Sequence, residues 1–177
     1  MSMPLILRPL RRTVIQAEAF ARAAHGEQKD KAGEPYIRHL VRVVGRTSAK
    51  LAGLPGIFPG ERVCELLQIA WLHDVIEDTP YGSEHLRKEG FSERVVQGAF
   101  ALSNLSKVPY PAFVAGIVMH APFAAILVKL SDNEDNADPE RLTMLDETTR
   151  TRLLAKYEPS MAILREAARA KGWQDRR

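Results

Sequence analysis

Apolar side chains recur at intervals of three and four along nearly the whole chain, and Gly, Pro or polar clusters interrupt them every ten to twenty residues. That spacing puts apolar groups on one face of a helix and leaves little room for strands. Val14, Ala17, Ala21 and Ala24 predict a helix over 10–25, beginning after Pro9. Ile37, Leu40, Val41 and Val44 predict one over 36–51, and Val63, Leu66, Leu67, Ala70 and Trp71 one over 61–73. Ser83 opens a short helix that Gly90 stops, and Ser92 is placed to cap a helix over 93–102. Pro109 or Pro111 opens the next helix toward His120, and Pro122 opens another that runs to about Asn136. A last helix is expected over 147–171, with a break at Pro159. The run 125–130 is apolar enough for a buried strand, but Pro122 ahead of it and the polar pair spaced by four behind it favour helix. The expected fold is all-α.

The chain has 177 residues, enough for one domain with a real core, and no linker or repeat divides it. A single domain over 1–177 is therefore expected. The net charge of +3 suits an anionic substrate without demanding nucleic acid. No aromatic-rich basic motif suggests base stacking along a strand. The one cysteine, Cys64, rules out an intrachain disulfide and fits a reducing cytoplasm; its apolar surroundings predict a buried, inert thiol. No apolar run is long enough to span a membrane, and the start of the chain has too short an apolar stretch for a signal peptide.

The chemistry concentrates in Trp71-Leu72-His73-Asp74-Val75-Ile76-Glu77-Asp78-Thr79. Imidazole nitrogen beside carboxylate oxygen suits a divalent transition metal. Adjacent residues on a helix point about 100° apart, so His73 and Asp74 can share an ion only at a helix end. His39 upstream and Asp132 downstream supply two more ligands, and the set leaves positions open for water. Glu77 and Asp78 follow within a turn and are expected to move a proton or orient water, in an order the sequence leaves open. Each element also has a plain structural reading: a helix exit at Glu77 to Pro80, and a polar helix face at Asp132 and Asn136. Of the remaining histidines, His25 is expected to support the structure, His85 to be solvated and His120 to close a helix.

Three ordered stretches carry a resemblance. These are 24–39, ending in Glu34-Pro35-Tyr36-Ile37-Arg38-His39; 70–79; and 128–136, Val128-Lys129-Leu130-Ser131-Asp132-Asn133-Glu134-Asp135-Asn136. Together they resemble the HD-domain alarmone hydrolases, that is, the hydrolase halves of Rel/SpoT enzymes and the stand-alone small alarmone hydrolases. The resemblance implies an all-helical fold, Mn²⁺ as cofactor, and removal of the 3′-diphosphate from (p)ppGpp-type nucleotides. It implies His39, His73, Asp74 and Asp132 as metal ligands and Glu77 and Asp78 as the catalytic pair. It places Asn136, Lys31 and Lys129 at the nucleotide or its phosphates, and aligns Tyr157 with a tyrosine that faces the nucleotide. It implies a small nucleotide as partner, neither nucleic acid nor membrane, a cytoplasmic location and a stand-alone hydrolase; oligomeric state is not readable.

The chain departs from the family's pattern at several positions. Glu27 stands where the family usually has Gly, and Asp30 where it has an Arg that packs on the base. Leu40 replaces a Pro, and Asn133, Glu134 and Asp135 replace a basic residue and a Leu-His pair. Asp30 is expected to put an anion near the polyphosphate, which leaves guanine or adenine open as the base. Two other readings follow: an HD-type 5′-nucleotidase or phosphomonoesterase, and a catalytically silent nucleotide-binding member. Arg141 and Lys107 could steer an anionic substrate, with placement at the surface the default expectation.

Overall fold

The computed structural model describes residues 12–30, 32–56 and 58–175. Among them the regular structure is helical, and the one extended pairing is an isolated bridge between Lys29 and Pro35. The helices are α1 (Val14–His25), α2 (Ile37–Ala49), α3 (Gly60–Leu72), α4 (Val75–Asp78), α5 (Ser83–Lys88), α6 (Glu93–Ala101), α7 (Tyr110–His120), α8 (Phe123–Asn136), α9 (Pro139–Leu142) and α10 (Glu147–Ala170). A 3₁₀ turn, Lys50–Gly53, extends α2. The all-α expectation therefore holds. No described helix is long and apolar enough to cross a membrane.

Helix ends follow local chemistry. Instead of starting near Pro9, α1 starts at Val14, where Thr13 and Gln16 form a reciprocal capping box. The expected start at Leu10 lies outside the described residues. Ser92 caps α6 as expected, accepting from the Val95 amide. Two short helices were not anticipated: α4, which follows His73 and Asp74 directly, and α9, capped by Asp138 with Pro139 in its first turn.

Helix α10 does not break at Pro159. It runs unbroken from Glu147 to Ala170. Pro159 lies on the exposed face, while Leu153, Tyr157, Ser160, Leu164 and Ala168 are buried on both sides of it. Tertiary packing overrides the missing N–H. Cys64 also departs from expectation: it is exposed on the outer face of α3.

Helix α8 is the axis of the domain. Residues 125–133 are buried throughout, and α2, α3 and α10 pack around them. The main core joins Ala17, Leu40, Leu66, Leu72, Ile126, Leu130 and Leu164. A second small core joins Ala137, Leu142, Leu153 and Tyr157 beside the lower half of α8. The end of the chain is tied back to the turn after α2, where Trp173 Nε1 donates to the Lys50 carbonyl and the Gln174 amide to that of Gly53. A Cβ at Gly53 would stand 1.9 Å from the Gln174 carbonyl oxygen, so only glycine fits.

Candidate active site

A buried polar side chain must find partners, because leaving water without replacing its hydrogen bonds costs several kcal/mol. Helix α8 buries Lys129, Ser131, Asp132, Asn133 and Asp135 together, and their partners assemble the site. Lys129 Nζ lies 2.9 Å from Asp132 Oδ2, and Asn133 Oδ1 accepts from the Tyr110 hydroxyl at 2.5 Å. One turn on, Asn136 Nδ2 donates to Asp132 Oδ1 at 2.6 Å.

His39 enters from the first turn of α2. His73 and Asp74 lie in the gap between α3 and α4, where helical continuity stops after Leu72. That gap lets two adjacent side chains turn toward one point, as a helix end is expected to. One ligand atom each from His39, His73 and Asp74 lies within 4.8 Å of the others. Asp74 Oδ2 is 3.0 Å from His73 Nε2 and 3.5 Å from His39 Nε2, and Asp132 Oδ1 is 3.4 Å and 3.8 Å from His39 and His73 Nε2. Four side chains from three separate segments thus converge.

The hydrogen bonds on the far side of each imidazole test whether this cluster suits a cation. His73 Nδ1 faces the Ala70 carbonyl oxygen at 2.8 Å, and His39 Nδ1 faces Asp135 Oδ2 at 2.7 Å. Both oxygens can only accept, so both Nδ1 atoms carry the proton. In each neutral ring Nε2 is then a bare lone pair aimed into the cluster, and His73 Nε2 is fully buried without a hydrogen-bond partner. This is how metal-binding imidazoles are oriented. The donor set fits a divalent cation.

The electrostatics agree. Burial opposes charge on His39, but Asp132, Asp135 and Asp74 carry its pKa well above the ordinary imidazole value. Burial likewise opposes charge on His73, while Asp74 and Asp132 raise it to about 9. Burial tends to raise Asp74 and Asp132, yet His73 and His39 hold Asp74, and Lys129 with both imidazoles holds Asp132, well below the carboxylate range. The two carboxylates thus stay ionised and favour positive charge between them, whether protons on the imidazoles or a cation in their place.

Glu77 and Asp78, on α4, line the same cavity of about 420 Å³. Glu77 Oε2 accepts from the Asn104 amide at 2.8 Å. The Tyr36 hydroxyl donates to Asp74 Oδ2 at 2.5 Å and lies 3.2 Å from Asp78 Oδ2. Burial, then Asp74 and Glu77, raise the Asp78 pKa. Asn136, Tyr157 and Lys129 also line the cavity. The Lys129 ammonium is buried against Asp132 and over the Phe113 and Tyr110 rings. Lys31 lies outside the described residues.

Several residues of the site were not anticipated from the sequence. Asp135 is fully buried and gathers His39, Arg42, Arg141 and, at 3.7 Å, Arg46. These contacts hold its pKa down at about 2, against the upward pull of burial and chiefly through His39 and Arg42. The signal was present: Arg42 and Arg46 follow His39 at helical spacing, and Asp135 is an acid within a buried helix. Tyr36 stacks on His25 at 4.8 Å, which gives His25 its supporting role. Arg141 lies at the cavity and not at the surface. Asp30 is no free anion: its Oδ1 accepts from the Ala32 and Glu34 amides, and its Oδ2 lies 2.8 Å from Arg141 Nη2.

No family model matches the chain. It is 38% identical over 127 residues to a guanosine-3′,5′-bis(diphosphate) 3′-pyrophosphohydrolase of Aquifex aeolicus, and 34% identical over 125 residues to the protein of that name from Haemophilus influenzae. These alignments cover 68% and 66% of this chain. Among solved structures, the fold matches a metazoan ortholog of SpoT described as hydrolysing ppGpp, with a TM-score of 0.60 at 20% identity over 97% of this chain and 99% of the other. The resemblance to the alarmone hydrolases holds in sequence and in fold. The chain spans only 17% of the length of the two bacterial relatives.

Proposed function

We propose that this chain, as a single HD-type domain, is a metal-dependent pyrophosphohydrolase that removes the 3′-diphosphate from alarmone nucleotides of the ppGpp or ppApp type in the cytoplasm. His39, His73, Asp74 and Asp132 would hold the ion, with Mn²⁺ as the proposed metal. When bound, the ion supplies Lewis acidity at a phosphoryl oxygen and lowers the pKa of water. Water oxygen forms a bond to the phosphorus carried on O3′, the P–O3′ bond breaks, and pyrophosphate leaves. One proton departs from the water and one arrives at O3′. Glu77, fixed by the Asn104 amide, takes the water proton. Asp78, whose pKa is raised by burial and by Asp74 and Glu77, carries the proton for O3′. Asn136, Lys129 and Tyr157 line the space for the nucleotide, and Lys31 is proposed beside its base or phosphates.

The observation that carries this reading is the pair of Nδ1-anchored imidazoles whose Nε2 atoms meet two carboxylates in a cavity edged by a second acidic pair. The test is direct. The purified protein is incubated with Mn²⁺ and, separately, ppGpp, pppGpp, ppApp and nucleoside monophosphates, and the products are identified. Free pyrophosphate from a 3′-diphosphate is expected. Orthophosphate from nucleoside monophosphates, with the 3′-diphosphates left intact, would replace this reading with a nucleotidase.

A further inference from the structure

The cavity beside the His–Asp cluster has an ionic side and an apolar wall. The wall is the small core of Leu142, Leu153 and Tyr157, with Tyr110 and Leu145 packed on it. A nucleotide held near the cluster by its phosphates would bury its base against that wall, where a flat apolar ring gains most from leaving water. Among the described residues one guanidinium lines this cavity, that of Arg141, the neighbour of Leu142 on α9.

Three of the five N–H groups of that guanidinium are already engaged. Nη2 is 2.8 Å from Asp30 Oδ2, and Nη1 donates to Asp135 Oδ2 at 2.6 Å and to the Asp135 carbonyl at 2.9 Å. Neither anchor can follow a moving arginine. Asp30 is pinned by the two loop amides it caps, and Asp135 is buried against His39 and Arg42. Asp30 pairs with the charge and Asp135, shared with Arg42, pairs with it in part, so a phosphate would have to compete with two carboxylates for Arg141. With both terminal nitrogens anchored the guanidinium plane is held in place, and its flat face is the part of an arginine that stacks on planar rings.

We propose that Arg141 is a specificity residue that touches the substrate: a fixed guanidinium plane, clamped by Asp30 and Asp135, on which the purine base of the nucleotide stacks. This rests on the nucleotide reading above. The competing role is a strut that only joins the 26–35 loop to Asp135 and so to His39.

Unreactive probes separate the two roles. Binding of guanosine 5′-monophosphate, adenosine 5′-monophosphate and the base-free ribose 5-phosphate is measured by calorimetry on wild type, Arg141→Gln, Arg141→Lys and Asp30→Asn. Mn²⁺ affinity and helical content are measured on the same samples. Arg141→Gln is expected to weaken both nucleotides about tenfold, the scale of one base stacked on a side chain, and to leave ribose 5-phosphate unchanged. Arg141→Lys should not restore binding, because an ammonium has no plane, and Asp30→Asn should fall between. Mn²⁺ affinity should hold within a few-fold, since Arg42 still grips Asp135. Equal losses for probes with and without a base, a loss of Mn²⁺ affinity in step with them, or a wild type that binds nucleotide no better than ribose 5-phosphate would each overturn the proposal. Failure to release pyrophosphate from any 3′-diphosphate would sink the hydrolase reading instead, and leaves these binding measurements valid.

Discussion

At His73 the two ring nitrogens meet opposite surroundings. Nδ1 is spent on a carbonyl oxygen, while Nε2 is buried and faces the carboxylates of Asp74 and Asp132. Removing that ring should therefore cost metal before it costs structure. His73→Ala is expected to lower Mn²⁺ affinity by at least 100-fold and abolish turnover, with far-ultraviolet circular dichroism near that of the wild type. Glu77→Gln keeps the Asn104 hydrogen bond and the ligand set but cannot accept a proton. Its expected signature is near-normal Mn²⁺ binding with turnover reduced about 10²- to 10⁴-fold. Full turnover in Glu77→Gln would show that the proton acceptor lies elsewhere.

Between elements, the close approach of α3 and α6 depends on one missing side chain. Glycine inside a helix ordinarily costs up to about 1 kcal/mol relative to alanine. At Gly98 the sign should reverse, because a Cβ there would stand 2.4 Å from Ile69 Cδ1. Gly98→Ala is expected to destabilise the protein by about 1–3 kcal/mol. For a chain of this length the melting temperature should fall by roughly 3–10 °C in a thermal scan. An unchanged or higher melting temperature would mean that α6 can slide away from α3 at little cost.

Across the whole molecule, the site links stability to pH and to metal. In metal-free protein, His39 and His73 have raised pKa values, His73 about 9 against an ordinary 6.5. Groups raised on folding stabilise fully below the unfolded pKa, and that stabilisation is lost as pH climbs through the folded value. Chelated protein should thus lose stability between about pH 6.5 and 9, by on the order of 3 kcal/mol for His73. Ion-loaded protein uses the neutral imidazoles and should not show this loss, so metal affinity should rise with pH over the same window. Asp135, held down at about 2, contributes in the opposite sense, and only at acid pH. Melting temperatures with and without chelator at pH 6, 7.5 and 9 check this: the gap should widen toward pH 9, and parallel curves would argue against the cluster.

What the amino-acid order settled alone is local or periodic. Apolar spacing gave the helices, because a helix face is read at intervals of three and four wherever it packs. Side chains that serve as caps, such as Ser92, and the helix-opening Pro109 and Pro122 act within one turn and so were legible. The convergence of His39, His73, Asp74 and Asp132 was anticipated from residue type and order taken together with the three stretches that resemble the alarmone hydrolases; singly, each residue has an ordinary structural use. What needed the folded molecule is whatever spans the chain. Asp30 meets Arg141 across 111 residues, and Asp135 meets His39 across 96. No local pattern encodes those pairs, and charge alone suggested solvent for Arg141 and an unpaired anion for Asp30. Pro159 failed as a helix breaker for the same reason: burial on either side of it in α10 outweighs one absent hydrogen bond, and burial is a property of the packed molecule.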